Sequence, residues 1–134
     1  MTIKHKTRDV QKSLYTNYLK RADECLHSAE TSLKKEEWTS ATINAILSAI
    51  AACDAMCVFY LGKRSAGENH NEAVHLFKTI KDSEEITLNA RRLTRLLSIK
   101  NMAEYEERLV YRSEAENAVK DCERFNEFVK DTLK

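Results

Sequence analysis

Residues 38–62 read WTSATINAILSAIAACDAMCVFYLG, and the reading of this run decides the fold. Trp38, Ala41, Ala45, Ala49, Ala52, Met56 and Tyr60 recur at three- and four-residue steps, the spacing of one helix face. Ile46, Ile50, Cys53 and Cys57 widen that face until little polar surface is left. Gly62 closes the run, because glycine enters the left-handed conformation that stops a helix without a Cβ penalty. The spacing predicts a helix from about Trp38 to about Leu61, central in the molecule or at an interface. Its alanines keep it thin enough for neighbouring helices to approach closely. Asp54 is out of place between Cys53 and Ala55, and a carboxylate in so apolar a setting needs a partner. Arg64, His70, Lys100 and Tyr105 are the candidate partners, and a structural anchor is favoured over catalysis at this position.

Working outward, Val10, Leu14, Tyr18, Cys25, Ala29 and Leu33 form a stripe that predicts a first helix from about Asp9 to about Lys35. The cluster Lys34-Lys35-Glu36-Glu37 reads as a tight connection, and residues 1–8, His5 among them, as a disordered start. Beyond Gly62, residues 62–70 read as a loop. Asn69 and Glu72 have capping-box spacing and open a short third helix that buries Ala73, Val74, Phe77 and Ile80. Ser83, followed by Glu84 and Glu85, opens a fourth with Ile86, Leu93, Leu96 and Leu97 inward. Residues 101–112 read as a turn or short extended piece. Ser113 and Glu116 have capping-box spacing again, ahead of a closing helix that carries Ala118, Cys122, Phe125, Val129 and Leu133. The pattern is a single all-α domain over 1–134, an up-and-down helical bundle of four to five helices.

Composition agrees with that reading. The 134 residues include no proline and two glycines, and 32% are charged. The net charge of +1 gives no global field that points to nucleic acid or membrane, though a local basic patch stays open. Cys25, Cys53, Cys57 and Cys122 form no CxxC pair and read as reduced core residues, with no metal site and no cofactor implied. The opening MTIKHKTRDV lacks the apolar run of a signal peptide, and the apolar run at 49–53 is too short to span a membrane. The expectation is a cytoplasmic protein.

Three stretches together resemble the HEPN superfamily: Ala45–Cys57 with its Asp-Ala step, the Gly-Arg-containing loop Leu61–His70, and Leu96–Tyr105, which reads LLSIKNMAEY. The resemblance runs from about residue 15 to 133. It implies a four- or five-helix bundle, usually a homodimer. Many members are metal-independent endoribonucleases that use an Arg-x(4–6)-His motif, while others are inactive partners of a nucleotidyltransferase in toxin–antitoxin or defence modules. Arg64-x(5)-His70 matches the nuclease spacing. Histidine can move the ribose hydroxyl proton, and arginine can hold the phosphate in a fork. In nuclease members, however, the motif opens the last long helix. The late position here reads Lys100-x(4)-Tyr105, which keeps a cation and a hydroxyl but loses imidazole and guanidinium.

The altered late motif favours a module that binds a nucleotide, RNA or a protein partner, a nucleotidyltransferase included, through Asp54, Arg64, His70, Lys100 and Tyr105. One alternative is an endoribonuclease with Arg64 and His70 catalytic; the other is a purely structural helical oligomer. Arg91, Arg92 and Arg95 could form a phosphate-binding strip, although a solvated face is the default reading; His27 and His75 read as surface or boundary residues.

Overall fold

A long chain without proline, with its two glycines five residues apart, has one natural place to break, and the fold turns there. The computed structural model describes residues 6–67 and 69–134, with the backbone alone for His70. A short strand β1 (Thr7–Asp9) and a 3-10 turn (Lys12–Leu14) lead into α1 (Tyr15–Lys34) and α2 (Trp38–Leu61). Strand β2 (Lys63–Ser65) follows, then α3 (His70–Lys78), α4 (Glu84–Ser98), the short α5 (Lys100–Tyr105) and α6 (Arg112–Thr132).

The bounds of α2 are those its spacing predicts, and it stops because Gly62 adopts φ +67 and donates its N–H to Val58 O. The α1–α2 turn is tighter than a relaxed one. Glu36 holds φ +61, a conformation costing an L-residue about 1 kcal/mol. The caps of α3 and α4 are also the expected ones: Asn69 Oδ1 accepts from Asn71 N at 2.9 Å, and Ser83 Oγ accepts from Ile86 N at 3.2 Å.

Four expectations need correction. The first long helix begins at Tyr15 rather than near Asp9, because residues 7–9 pair as a strand with the segment read as a loop. Thr7 and Arg8 are therefore ordered in β1, while His5 and the rest of 1–5 lie outside the described residues. Within 101–112, Lys100–Tyr105 is helical. The last helix starts at Arg112, ahead of the expected Ser113 cap: Tyr111 N donates to Glu114 Oε1 at 2.9 Å, so Glu114 supplies the carboxylate assigned from sequence to Glu116.

The core forms around α2. Ala41, Ala45, Ala49, Ala52 and Ala55 are fully buried, as are Ile46, Met56 and Val58, so α2 is covered on nearly every side. By length and composition it could cross a membrane, a fuller apolar stretch than 49–53 alone suggests, and 67% of its most apolar window is buried in the bundle. Helix α1 runs antiparallel to α2, with Tyr15 packed on Phe59 at one end and Ser32 bonded to Ser40 at the other. Helix α6 runs parallel to α2, with Arg112 over the Trp38 ring and Asn126 bonded to Ser48. Helix α4 lies antiparallel to α6, tied by Arg95–Asp121. Phe77 of α3 reaches Phe125 of α6 with ring centroids 5.4 Å apart. The molecule therefore has two ends. One holds the start of α1, the finish of α2 and the strands; the other holds the α1–α2 turn, α5 and the start of α6.

Candidate functional site

The strands come together because α1 and α2 form an antiparallel hairpin, which returns the chain after α2 to the residues that precede α1. β1 and β2 are antiparallel, in the register Thr7↔Ser65, Arg8↔Arg64 and Asp9↔Lys63. Two flanking bonds extend the ladder, Val10 N to Gly62 O at 2.9 Å and Ala66 N to Lys6 O at 3.0 Å. Residues directly opposite in such a pair share a face, with Cβ atoms about 4.5–5.5 Å apart. Arg8 and Arg64 thus stand side by side, with Lys6 two residues along on the same face. Like charges directly opposite destabilise a ribbon. Asp9 faces Lys63 on the other side.

Among the described residues, none of Lys6, Arg8, Lys63 and Arg64 takes part in an ion pair. Arg64 donates from one guanidinium nitrogen to Ser65 O at 3.1 Å. Lys12 lies over the Phe59 ring at 4.4 Å, and Arg21 of α1 over the Tyr18 ring at 5.4 Å. Cations from both ends of the α1–α2 hairpin therefore gather at one end of the bundle.

Asp54 sits two turns before the finish of α2. It is half-buried, and the apolar surroundings push its carboxyl up to about 7, against the opposing pull of the Arg64 and Arg21 charges. Among the described residues, Arg64 is the candidate partner named from sequence whose charge acts on it; Arg21 also acts and was missed. Neither forms an ion pair with it among the described residues. Asp54 is a carboxyl poised between charge states beside a guanidinium that remains available.

His70 is the first residue of α3, and its side chain lies outside the described residues. Lys100 and Tyr105 belong to the other end. The segment after Tyr105 is held at the start of α2, where Val110 N donates to Thr39 Oγ1 at 3.4 Å, whereas Arg64 follows the finish of α2. Over its 24 residues α2 is about 36 Å long. Lys100 is occupied by Glu104 at 3.1 Å, and Tyr105 is 73% exposed. The structure thus brings Asp54 and Arg64 together and sets Lys100 and Tyr105 apart from them.

The arginine strip of α4 is largely engaged. Arg95 makes two bonds to Asp121, at 2.9 and 2.8 Å, and Arg92 donates to Asn89 Oδ1 at 3.0 Å. The cysteines are free thiols, three of them buried. Burial pushes Cys122 up to about 12, and a hydrogen bond with Cys57 together with burial raises Cys53, so these stay protonated. Among the described residues no three His, Cys, Asp or Glu side chains converge as metal ligands.

Sequence reasoning missed Arg8, Lys6 and Arg21. The available signal was the basic character of the polar start, but nothing local told that it pairs with residues more than fifty positions away.

No curated protein matches the chain. The sequence model of the HEPN domain does match it, over residues 15–132, which takes in α1 through the last turn of α6. The chain belongs to the HEPN family.

Proposed function

We propose that this HEPN domain is an RNA-binding module that holds backbone phosphates on the face of the ribbon shared by Arg8 and Arg64. The family includes RNA-binding and nuclease modules. The observation that carries the reading is the direct opposition of Arg8 and Arg64, with Lys6 beside them and, among the described residues, no ion pair to relieve any of the three. A phosphate between two guanidinium groups turns a repulsive cross-strand pair into two charge-assisted forks. Arg21 and Lys63 extend the positive field, and Asp54 tunes it through Arg64.

The test is fluorescence anisotropy with labelled single-stranded RNA, in EDTA, across a salt series. Arg8→Glu and Arg64→Glu should each weaken binding by at least about tenfold. Each should also flatten the dependence of log affinity on log salt by about 0.7 for every phosphate that the variant no longer neutralises. Unchanged affinity and slope in both variants would refute the reading.

The Arg64-x(5)-His70 spacing supports a second reading, in which the same phosphate site cuts RNA without metal. His70 would take or return the ribose hydroxyl proton while Arg64 holds the phosphate, leaving a 2′,3′-cyclic end. Gel analysis of the same EDTA mixtures distinguishes the two. Cleavage that falls about 10²–10⁴-fold in His70→Ala is the expected mark of the nuclease, and binding without cleavage that of the module.

A further inference from the structure

The end of the bundle opposite the ribbon carries a surface with another chemistry. Leu109, Tyr105 and Tyr111 are 76%, 73% and 61% exposed, the most exposed large apolar side chains among the described residues, and all three fall within one short segment from the last residue of α5 to the start of α6. Beside them a groove of about 480 Å³ runs between that segment and the α1–α2 turn. Its apolar walls are Trp38, Leu109 and Val110, and its charged walls are Glu36 and Glu37, with no cation among the lining residues. Glu106 and Glu107, both exposed, precede Leu109 in the same segment. None of these four carboxylates takes part in an ion pair among the described residues. The nearby arginines are already spent: Arg108 is forked onto Glu114, and Arg112 reaches Glu116 while stacking over Trp38.

Exposed apolar groups clustered beside a groove and rimmed by polar residues mark an interaction site. The rim's charge selects the occupant. A bare polyanion is repelled by Glu36 and Glu37, the charged side chains that line the groove. We propose that this groove docks a segment of a partner protein bearing a large apolar anchor flanked by lysines or arginines. The anchor lies against Trp38 and Leu109, and the basic flanks meet Glu36 and Glu37. Tyr111, held flat by the Arg108 guanidinium 4.4 Å above its ring, supplies a rigid aromatic edge. The surface is independent of the ribbon, so the molecule would engage RNA at one end and protein at the other.

The test uses the full chain and three labelled probes: an amphipathic helical peptide of leucine and lysine, the same peptide with glutamate for lysine, and oligolysine. The wild type should bind the leucine–lysine peptide and neither of the others. Leu109→Asp, at a site too exposed to disturb the core, should weaken that binding by about tenfold or more, as loss of an anchor does. Glu36→Lys with Glu37→Lys should move the preference to the leucine–glutamate peptide, while Arg64→Glu should bind like the wild type. Equal binding of both amphipathic peptides would overturn the proposal, as would Leu109→Asp that melts and binds like the parent. Sedimentation gives a further check: association of the wild type that disappears in Leu109→Asp would make the groove a self-contact and overturn it as well.

Discussion

Asp54 links the folded chain to pH. Its carboxyl is raised from an ordinary 3.8 to about 7, chiefly by burial, so the fold prefers the protonated form. That contribution to stability is fully present below about 4 and is lost as the pH rises through about 7. Asp54→Asn keeps a neutral side chain, so it should melt with the parent at about pH 4 and increasingly above it as the pH rises to about 7 and beyond; a parent that is equally stable at both pH values would contradict this. Had Asp54 been locked in a buried ion pair, its removal would cost about 3–5 kcal/mol at neutral pH. The structure leaves it half-buried and, among the described residues, without an ion pair, which reverses the expected sign. A phosphate on Arg64 would raise the Asp54 carboxyl further, so RNA binding should take up a proton and weaken as pH rises through about 7, and Asp54→Asn should flatten that dependence. The sequence showed that Asp54 was anomalous because every neighbour in the helix is apolar. It could not show Arg21, since an arginine on a solvated face of α1 carries no mark of the neighbour that the hairpin brings to it.

At the scale of elements, α1, α2 and α6 are cross-linked by a buried polar node. Ser48 Oγ donates to Ala22 O at 2.7 Å, and Asn126 Nδ2 donates to Ser48 Oγ at 3.0 Å and to Cys122 O at 2.9 Å. Ser48→Ala should cost about 1–2 kcal/mol by leaving part of the Asn126 amide unmatched. Combined with Asn126→Ala, the total should fall short of the sum of the single costs, which denaturant titration of the two single variants and the double variant would measure. A second contact joins α1 to α6. Glu30 and Glu123 share a hydrogen bond that, with burial and mutual repulsion, raises Glu123 to about 7. Its stabilising effect is present below about 4.5 and lost as pH rises through about 7. Glu123→Gln should therefore reduce the fall in melting temperature across that window, and a variant with the parent's full pH slope would count against the shared proton. Helix α2 was legible to the residue because its apolar period is long and Gly62 ends it. The caps at Asn69 and Ser83 were legible because short polar side chains have few other uses before an apolar run. The strands were not: three exposed polar residues have no alternation to read, and their pairing depends on a hairpin that must form first. The start of α6 was misplaced because two glutamates, Glu114 and Glu116, both stood at capping distance from a plausible first residue.

For the whole molecule, the all-α bundle was legible and the placement of its chemistry was not. Arg64 in β2 and Tyr105 at the end of α5 were grouped from sequence as one site, and about 36 Å of α2 separates the ends to which they belong. The clasp between β1 and β2 has a consequence for motion. It rests on a few backbone bonds at the surface, and β1 is exposed throughout. Such a unit opens at a small fraction of the free energy that unfolds the core. The amides of Val10 and Ala66 should accordingly exchange with solvent deuterium far sooner than those of Ala49 or Cys57 in α2, and bound RNA should slow the first pair while leaving the second unchanged. Exchange at equal rates in all four would mean that clasp and bundle open together. Exchange as expected would make β1 a hinged arm, free to leave the domain without melting it and fastened down when its anion arrives.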